Sequence, residues 1–190
     1  IFMEHAAPEG SGAMSAVLGM DAEVIEDVLN GREGVSIANY NCPGQIVITG
    51  EAAAVAEAGT ALKEAGARRV LPLKVSGPFH SPMMRPAGEE LAKVFAGVSM
   101  NPLKIPYVAN INAEVITDCG RIEGLLVEQV SGSVRWQQSV ETMIREGVDT
   151  FVEIGPGKTL TGFLRKIDKN VKAYHIGSWE EAVQVCEELK

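Results

Sequence analysis

The first part of the chain alternates between the two-residue hydrophobic period of strands and the 3.6-residue period of helices. The apolar segment AMSAVLGM has the length of a strand, and DAEVIEDVLN then begins with the acidic capping residue Asp21 and places its apolar residues on one helical face. The β-rich segments GVSIANYN and QIVITG flank the turn sequence CPG, which predicts a hairpin. An Ala-rich helix over residues 51–65 and a strand in RRVLPLKV complete a β-α-β-β-α-β order, which is typical of a ferredoxin-like unit.

From residue 76 onwards, short apolar segments alternate with amphipathic helices. A helix is predicted over residues 82–95, because Ser81 can cap its N-terminus and Pro82 suits the first helical position. Strands are predicted in IPYVANIN, TFVEIG and KAYHIGS, with helices over residues 122–130, 136–146, 156–167 and 179–189. This alternation predicts a parallel sheet flanked by helices, and this half of the chain looks incomplete by itself.

Composition narrows the classes of function. The chain has 190 residues, of which 46% are hydrophobic, and it contains no apolar run of the roughly 20 residues that a membrane-spanning helix needs. A net charge of -8 argues against a nucleic-acid partner, because neutralising phosphates requires a basic surface. The three cysteines, Cys42, Cys119 and Cys186, match neither a disulfide framework nor a zinc site, which predicts a protein of the reducing cytoplasm.

One of the three histidines stands where a chemical role is plausible. His80 lies in VSGPFHSPMM, after a Gly-Pro turn and before a predicted helix, and a histidine at such a junction can act as a general base near neutral pH. The alternative is a hydrogen-bonded or surface histidine without a chemical role. Acyl transfer would also need a nucleophile, but Ser11, Ser131 and Ser133 all lack the nucleophile-elbow pattern G-x-S-x-G. The chain is therefore not expected to complete that chemistry alone.

Several other features have structural interpretations on the residues alone. VEIGPGKT has Val152 where a phosphate-binding loop requires its first glycine, so it predicts a tight strand-to-helix junction, with a helix N-terminus that can face a cleft. Asn39 and Asn41 beside the hairpin turn predict local hydrogen bonds to the backbone. Met14 is most simply a core residue and Gln129 a solvated one. The residues alone thus predict a two-part α/β protein with a candidate histidine-based site.

The motifs taken in chain order resemble a known family. The segments GAM, NYNCPGQIVITG, GPFHSPMM, VRW and EIGPGKTLTG together closely resemble malonyl-CoA:acyl carrier protein transacylases and the acyltransferase domains of polyketide and fatty acid synthases. The resemblance covers essentially the whole chain. It implies an α/β fold in which a ferredoxin-like small subdomain, about residues 7–76, is inserted into an α/β-hydrolase-like large subdomain, of which residues 77–190 form a part.

The resemblance also implies a mechanism. A serine takes malonyl from malonyl-CoA as an ester and passes it to the phosphopantetheine thiol of acyl carrier protein, in fatty acid or polyketide biosynthesis, without a metal or another cofactor. His80 matches the catalytic histidine that deprotonates the serine and later the thiol, and Gln129 matches a residue whose backbone carbonyl orients that histidine. Phe79, Asn41 and Met14 match substrate-binding positions, and a ring at Phe79 favours malonyl over α-branched acyl groups, because it leaves no room for a methyl group.

Three features of the family are missing from the sequence. They are a glutamine-bearing oxyanion motif, the GHSxGE nucleophile elbow, and an arginine that pairs with the malonyl carboxylate. All three belong upstream of the matched motifs in the family. The chain is therefore expected to be the C-terminal portion of an acyltransferase, inactive by itself, with an open apolar interface that promotes association.

Two other functions stay open. A non-catalytic module could bind the acidic acyl carrier protein through local basic residues, although isolated lysines and arginines are usually only solvated. The candidates are Arg68, Arg69, Lys74, Lys158, Arg165 and Lys166. A serine hydrolase of the α/β type would use the same kind of histidine base and serine nucleophile, but the spacing of the motifs favours the transacylase.

Overall fold

The computed structural model describes residues 2–189 as a mixed α/β fold. The helices are α1 (Phe2–His5), α2 (Ala22–Leu29), α3 (Ala52–Glu64), α4 (Arg85–Phe95), α5 (Ile122–Ser131), α6 (Trp136–Arg145), α7 (Thr159–Ile167) and α8 (Trp179–Glu188). The strands are β1 (Gly12–Leu18), β2 (Val35–Cys42), β3 (Gln45–Glu51), β4 (Arg69–Pro72), β5 (Tyr107–Val108), β6 (Val115–Ile116), β7 (Thr150–Ile154) and β8 (Lys172–Ile176). None of the helices described is long and apolar enough to span a membrane.

The first four strands form one antiparallel sheet in the order β2-β3-β1-β4. Along the chain the elements follow the predicted order β-α-β-β-α-β. Side chains alternate between the two faces of each strand, and β1, β2 and β3 contribute buried apolar residues to both faces. The face that packs against α2 and α3 holds the larger core, whose fully buried members include Val17, Ile25, Ile46, Ile48 and Leu62. This core fixes the two helices on one side and leaves the other face of the sheet for other contacts.

That other face carries a smaller apolar cluster. Its buried residues are Met14, Ala16, Ala38 and Val47, and Phe79 packs against them from the segment that follows β4. The sheet therefore supports the turn that contains the histidine singled out by the sequence.

The outer edge of β2 is covered by the segment before α6. Val134 donates its backbone N–H to Ala38 O at 2.7 Å and accepts from Tyr40 N at 2.9 Å, which forms a parallel bridge at Asn39. β2 has register shifts between Ile37 and Asn39 and again before its last residue. Bulges of this kind re-aim an edge strand. Backbone hydrogen bonds of Val134 thereby fix this segment of the second half to the edge of the first sheet.

The prediction of one parallel sheet in the second half is wrong for its first strand. β7 and β8 are parallel neighbours, but β5 pairs antiparallel with β6, a strand that the sequence did not predict. The connecting turn has Ala113 at a φ of 58°, and Asn112 accepts a side-chain hydrogen bond from the backbone N–H of Glu114. Because the left-handed position is filled by alanine and not by glycine, the sequence carries no ordinary hairpin signal there.

The predicted capping of the helix after the histidine is also wrong. Ser81 makes no capping hydrogen bond, and the chain passes through a 3₁₀ turn, Pro82–Met84, before α4 begins at Arg85. A proline at the start suits this turn, since it has no N–H to leave unpaired. The hydroxyl of Ser81 instead donates a hydrogen bond to the carbonyl of Pro78 in the preceding turn.

Gly50 offers a test of this sheet. A Cβ there would stand 2.0 Å from Gly34 O, and the φ of 146° is strained for any other residue. We expect Gly50→Ala to lower the free energy of unfolding by about 1–3 kcal/mol, because the clash is with backbone that cannot give way. Equilibrium urea unfolding measures the change. Gly124→Ala in α5 is the matched control, because its Cβ would meet nothing within 4 Å and a helical alanine is favoured. Equal stability of the Gly50 variant and the parent would contradict the described packing.

Candidate active site

His80 lies in a strained turn between β4 and α4. Its φ of 60° is in the left-handed region, which a residue with a Cβ adopts only when its surroundings hold it there. The fully buried Ser81 supplies part of that restraint, because its Oγ donates a 2.7 Å hydrogen bond to the carbonyl of Pro78. A 3.0 Å hydrogen bond from Phe79 N to Gly77 O tightens the same turn. The turn therefore determines the direction in which the imidazole leaves the backbone.

The imidazole reaches the C-terminal end of α5. His80 Nδ1 lies 3.1 Å from the backbone carbonyl oxygen of Gln129, which is 49 residues further along the chain. Carbonyls in the last turn of a helix have no partner within the helix, so this oxygen can accept. A carbonyl only accepts, which means that Nδ1 carries the proton and that Nε2 of the neutral ring is unprotonated. Nε2 is therefore the atom that can take a proton from a second group.

No nucleophile is paired with this histidine within residues 2–189. Two of the three serines weighed from the sequence donate to backbone carbonyls instead: Ser11 Oγ to Pro8 O at 2.6 Å, and Ser133 Oγ to Ile37 O at 2.6 Å. The third, Ser131, is the last residue of α5, and none of the three belongs to a strand-turn-helix elbow. The described residues thus contain a candidate base and its orienting group, and the site needs a nucleophile from elsewhere to carry out acyl transfer.

Phe79 and Met14 lie together on the second face of the first sheet. Phe79 is half-buried and packs on the cluster that contains Met14, of which 5% is exposed. Met14 is therefore a core residue that supports the ring, and most of its own surface is out of reach of a ligand. Phe79 precedes His80 directly, so its ring is the apolar group closest in sequence to the candidate base.

Asn41 is half-buried on β2, and its predicted local hydrogen bonds do not form. Neither Asn41 nor Asn39 makes a side-chain hydrogen bond with another described residue, although both lie where the register of β2 shifts. Asn41 thus has unused donor and acceptor groups near the edge of the strand. The structure brings His80 to Gln129 and Phe79 to Met14, and Asn41 makes no side-chain hydrogen bond with any of these four residues.

The segment VEIGPGKT is a helix-capping junction. Glu153 on β7 accepts hydrogen bonds from the N-terminus of α7: Oε2 from Thr161 N at 2.7 Å and Thr161 Oγ1 at 2.6 Å, and Oε1 from Leu160 N at 3.1 Å. The chain's own carboxylate therefore fills the position that an anionic ligand would take at a helix N-terminus. The prediction of a tight junction is confirmed, and Leu160 and Thr161 at the start of this helix also line a cavity of about 340 Å³ next to β7. No local sequence pattern predicted that Glu153 would be the cap.

The pKa of Glu153 reflects this environment. Burial raises the pKa, but the hydrogen bonds from Thr161 and Leu160 together outweigh it and leave the pKa below its ordinary value. A carboxylate with a lowered pKa in the folded state adds stability that is fully present above its unfolded pKa. That stability is lost as the pH falls through the folded-state pKa.

We expect Glu153→Gln to lower the free energy of unfolding at pH 7 by about 1 kcal/mol, a capping contribution reduced by solvent screening. The difference from the parent should close as the pH falls through the folded-state pKa of Glu153, because the parent carboxylate is then neutral as well. Urea unfolding at a series of pH values measures both effects. Glu57→Gln is the control, since Glu57 is exposed on α3 and caps nothing. If the difference in stability between Glu153→Gln and the parent did not change with pH, the ionised carboxylate of Glu153 would not be the cap.

Comparisons with known proteins agree with this geometry. The family model for the acyl transferase domain matches residues 2–185. The chain is 44% identical over 193 aligned residues to a malonyl CoA-acyl carrier protein transacylase of Bacillus subtilis, covering 100% of this chain and 61% of the relative. A solved structure of MCAT from Streptococcus pneumoniae superimposes with a TM-score of 0.92 at 44% identity, covering 98% of this chain and 62% of that one.

A second solved structure includes a partner. It is described as a type II PKS acyl-carrier protein in complex with its malonyl-transacylase, and it matches with a TM-score of 0.91 at 38% identity, covering 98% of this chain and 62% of that one. The chain thus spans about three fifths of the length of these relatives.

Proposed function

Because the chain belongs to the acyl transferase domain family, we propose that it serves the transfer of a malonyl group from coenzyme A to the phosphopantetheine thiol of an acyl carrier protein. The observation that carries the proposal is the 3.1 Å hydrogen bond between His80 Nδ1 and the Gln129 carbonyl, which leaves Nε2 as a proton acceptor. Supporting it, the relatives that match most of this chain are described as malonyl CoA-acyl carrier protein transacylases.

The proposed reaction uses His80 twice. In the first half, Nε2 takes the proton of a serine hydroxyl, the serine Oγ attacks the malonyl thioester carbonyl, the C–S bond breaks, and the imidazolium returns the proton to the leaving coenzyme A sulfur. In the second half, Nε2 takes the proton of the carrier-protein thiol, the sulfur attacks the ester, and the serine oxygen leaves and regains the proton. We place the serine in the part of the acyl transferase domain that this sequence does not contain.

The imidazolium formed in each half is supported by its position. Its Nδ1–H faces a backbone carbonyl at the C-terminal end of α5, where the helix dipole is negative. A carbonyl can hold the ring in the required tautomer without burying a carboxylate next to it. Gln129 therefore serves as the orienting member of the proposed catalytic group.

We assign residues 7–76 to a ferredoxin-like small subdomain and residues 77–190 to part of an α/β-hydrolase-like large subdomain. The strand order β2-β3-β1-β4 supports the first assignment. For the second, β7 is paired only with β8 among the described strands, its Ile154 is 78% exposed, and it borders an apolar cavity of about 340 Å³. We propose that further strands continue the parallel sheet beyond β7 in the intact domain, and that the chain by itself is inactive.

His80→Ala tests the proposed function in an intact acyltransferase that contains this chain and a catalytic serine. We expect malonyl transfer to carrier protein to fall by about 10²–10⁴-fold, the range that a general base contributes. Transfer is followed by mass spectrometry of the carrier protein, and the acyl-serine by intact mass of the enzyme. His5→Ala is the matched control, because His5 is an exposed histidine at the end of α1.

The same assay separates the two other functions. Hydrolysis of malonyl-CoA without transfer to the thiol would favour a serine hydrolase. Salt-sensitive binding of carrier protein without any transfer would favour a binding module. The basic residues that such a module would use are all exposed, in one group around β4 (Arg68, Arg69 and Lys74) and another on α7 and just before it (Lys158, Arg165 and Lys166).

Phe79 provides a test of the acyl group. We expect Phe79→Ser to raise kcat/KM for methylmalonyl-CoA relative to malonyl-CoA by about 10–100-fold, because removing the ring makes room for one methyl group. Competition between the two thioesters in one reaction measures the ratio directly. Met83→Ser is the control, because Met83 is a half-buried apolar residue of the neighbouring 3₁₀ turn. An unchanged ratio of the two kcat/KM values would mean that Phe79 does not determine which acyl group the site accepts.

A further inference from the structure

We propose that the side-chain amide of Gln129, separately from its backbone carbonyl, is a positioning group for His80. The proposal rests on the proposed function, since it assigns a second role to the residue that orients the base. The same residue presents its carbonyl to the imidazole and uses its side chain to hold the backbone around that carbonyl in place.

The amide closes the end of α5. Gln129 Nε2 donates to Gly132 O at 3.0 Å and to Ser133 O at 3.3 Å, so it ties the last turn of the helix to the segment that follows. The helix ends at Ser131, and ends of helices fray unless their groups are engaged. The carbonyl that His80 needs lies within this last turn. The amide therefore restrains the one stretch of backbone whose movement would break the contact with the imidazole.

The segment held by the amide is itself fixed to the first sheet. Ser133 Oγ donates to Ile37 O at 2.6 Å, and Val134 exchanges two backbone hydrogen bonds with β2. The guanidinium of Arg135 lies 5.5 Å from the centroid of the Tyr40 ring. Separate hydrogen bonds thus link β2 to Ser133, Ser133 to the amide of Gln129, and the backbone carbonyl of Gln129 to the imidazole. These links hold the base in position relative to the sheet against which Phe79 packs.

The oxygen of the same amide is unpaired within residues 2–189. Gln129 Oε1 is buried and has no hydrogen-bond partner among the described residues. A buried acceptor left unpaired is unfavourable, and an apolar residue at this position would avoid it. The amide nitrogen donates to two backbone carbonyls, whereas the amide oxygen accepts no hydrogen bond from any of the residues described. This arrangement fits a residue whose donors place the backbone.

The test uses Gln129→Leu in the intact acyltransferase, because leucine keeps the backbone carbonyl and removes the donors. We expect kcat for malonyl transfer to fall by about 10–100-fold, the effect of a small misplacement of a catalytic group, with KM for malonyl-CoA unchanged. ¹⁵N NMR of the His80 ring should show a mixture of neutral tautomers in place of the single Nδ1–H form. Gln137→Leu is the matched control, because the amide of Gln137 contacts only Glu141 on its own helix.

Thermal unfolding of each variant separates positioning from folding. If the leucine variant does not fold, Gln129→Asn replaces it, since its shorter amide keeps the donors and cannot reach both carbonyls. A tautomer mixture with reduced kcat in a folded variant supports the proposal. A wild-type ¹⁵N spectrum with unchanged kcat overturns it and leaves the proposed function intact. Absence of transfer by the parent enzyme would count against the proposed function, while the NMR result would still decide the role of the amide.

Discussion

The hydrogen bond between His80 and the Gln129 carbonyl is the contact on which the site depends. It joins a turn after β4 to the end of α5, and it selects which imidazole nitrogen can accept a proton. Other contacts hold the two groups that this hydrogen bond joins. The left-handed backbone of His80 is maintained by the buried hydroxyl of Ser81, and the end of α5 is maintained by its links to β2. A base with fixed tautomer thus requires two independent restraints that meet at one contact.

These restraints carry local costs. His80 adopts a backbone conformation that is unfavourable for any residue with a Cβ, and Gln129 buries an unpaired acceptor. The first sheet compensates for such costs with a well-packed core on its other face. A strained backbone and an unpaired acceptor thus meet at the contact that positions the imidazole, as is expected where the geometry of a site outweighs local stability.

The sequence predicted what hydrophobic periodicity and common turn signals decide, and it missed what the particular geometry of individual turns and junctions decides. The β2–β3 hairpin and the helices α2 and α3 follow from a Pro-Gly turn and from apolar periodicity, which act within a few residues. By contrast, Ser81 looked like a helix cap because serine before proline usually is one, but the nearby carbonyl of Pro78 takes its hydroxyl. The role of Glu153 as a cap depends on β7 lying beside the start of α7, and β6 depends on an alanine in a glycine-like conformation. The motif around His80 identified the residue, whereas its partner came from family resemblance and not from any local pattern.

The proposed mechanism gives a reason for holding the base so firmly within this part of the domain. A ping-pong transfer presents His80 with two different nucleophiles, a serine oxygen and then a carrier-protein sulfur, which approach at different times. A base oriented mainly by either nucleophile would be correctly placed for only one half of the reaction. Here the orienting carbonyl, the strained turn and the edge of β2 all belong to residues described in this chain, so the ring is positioned before either nucleophile arrives. Preorganisation of this kind serves both half-reactions equally, because neither depends on the other nucleophile for the geometry of the base.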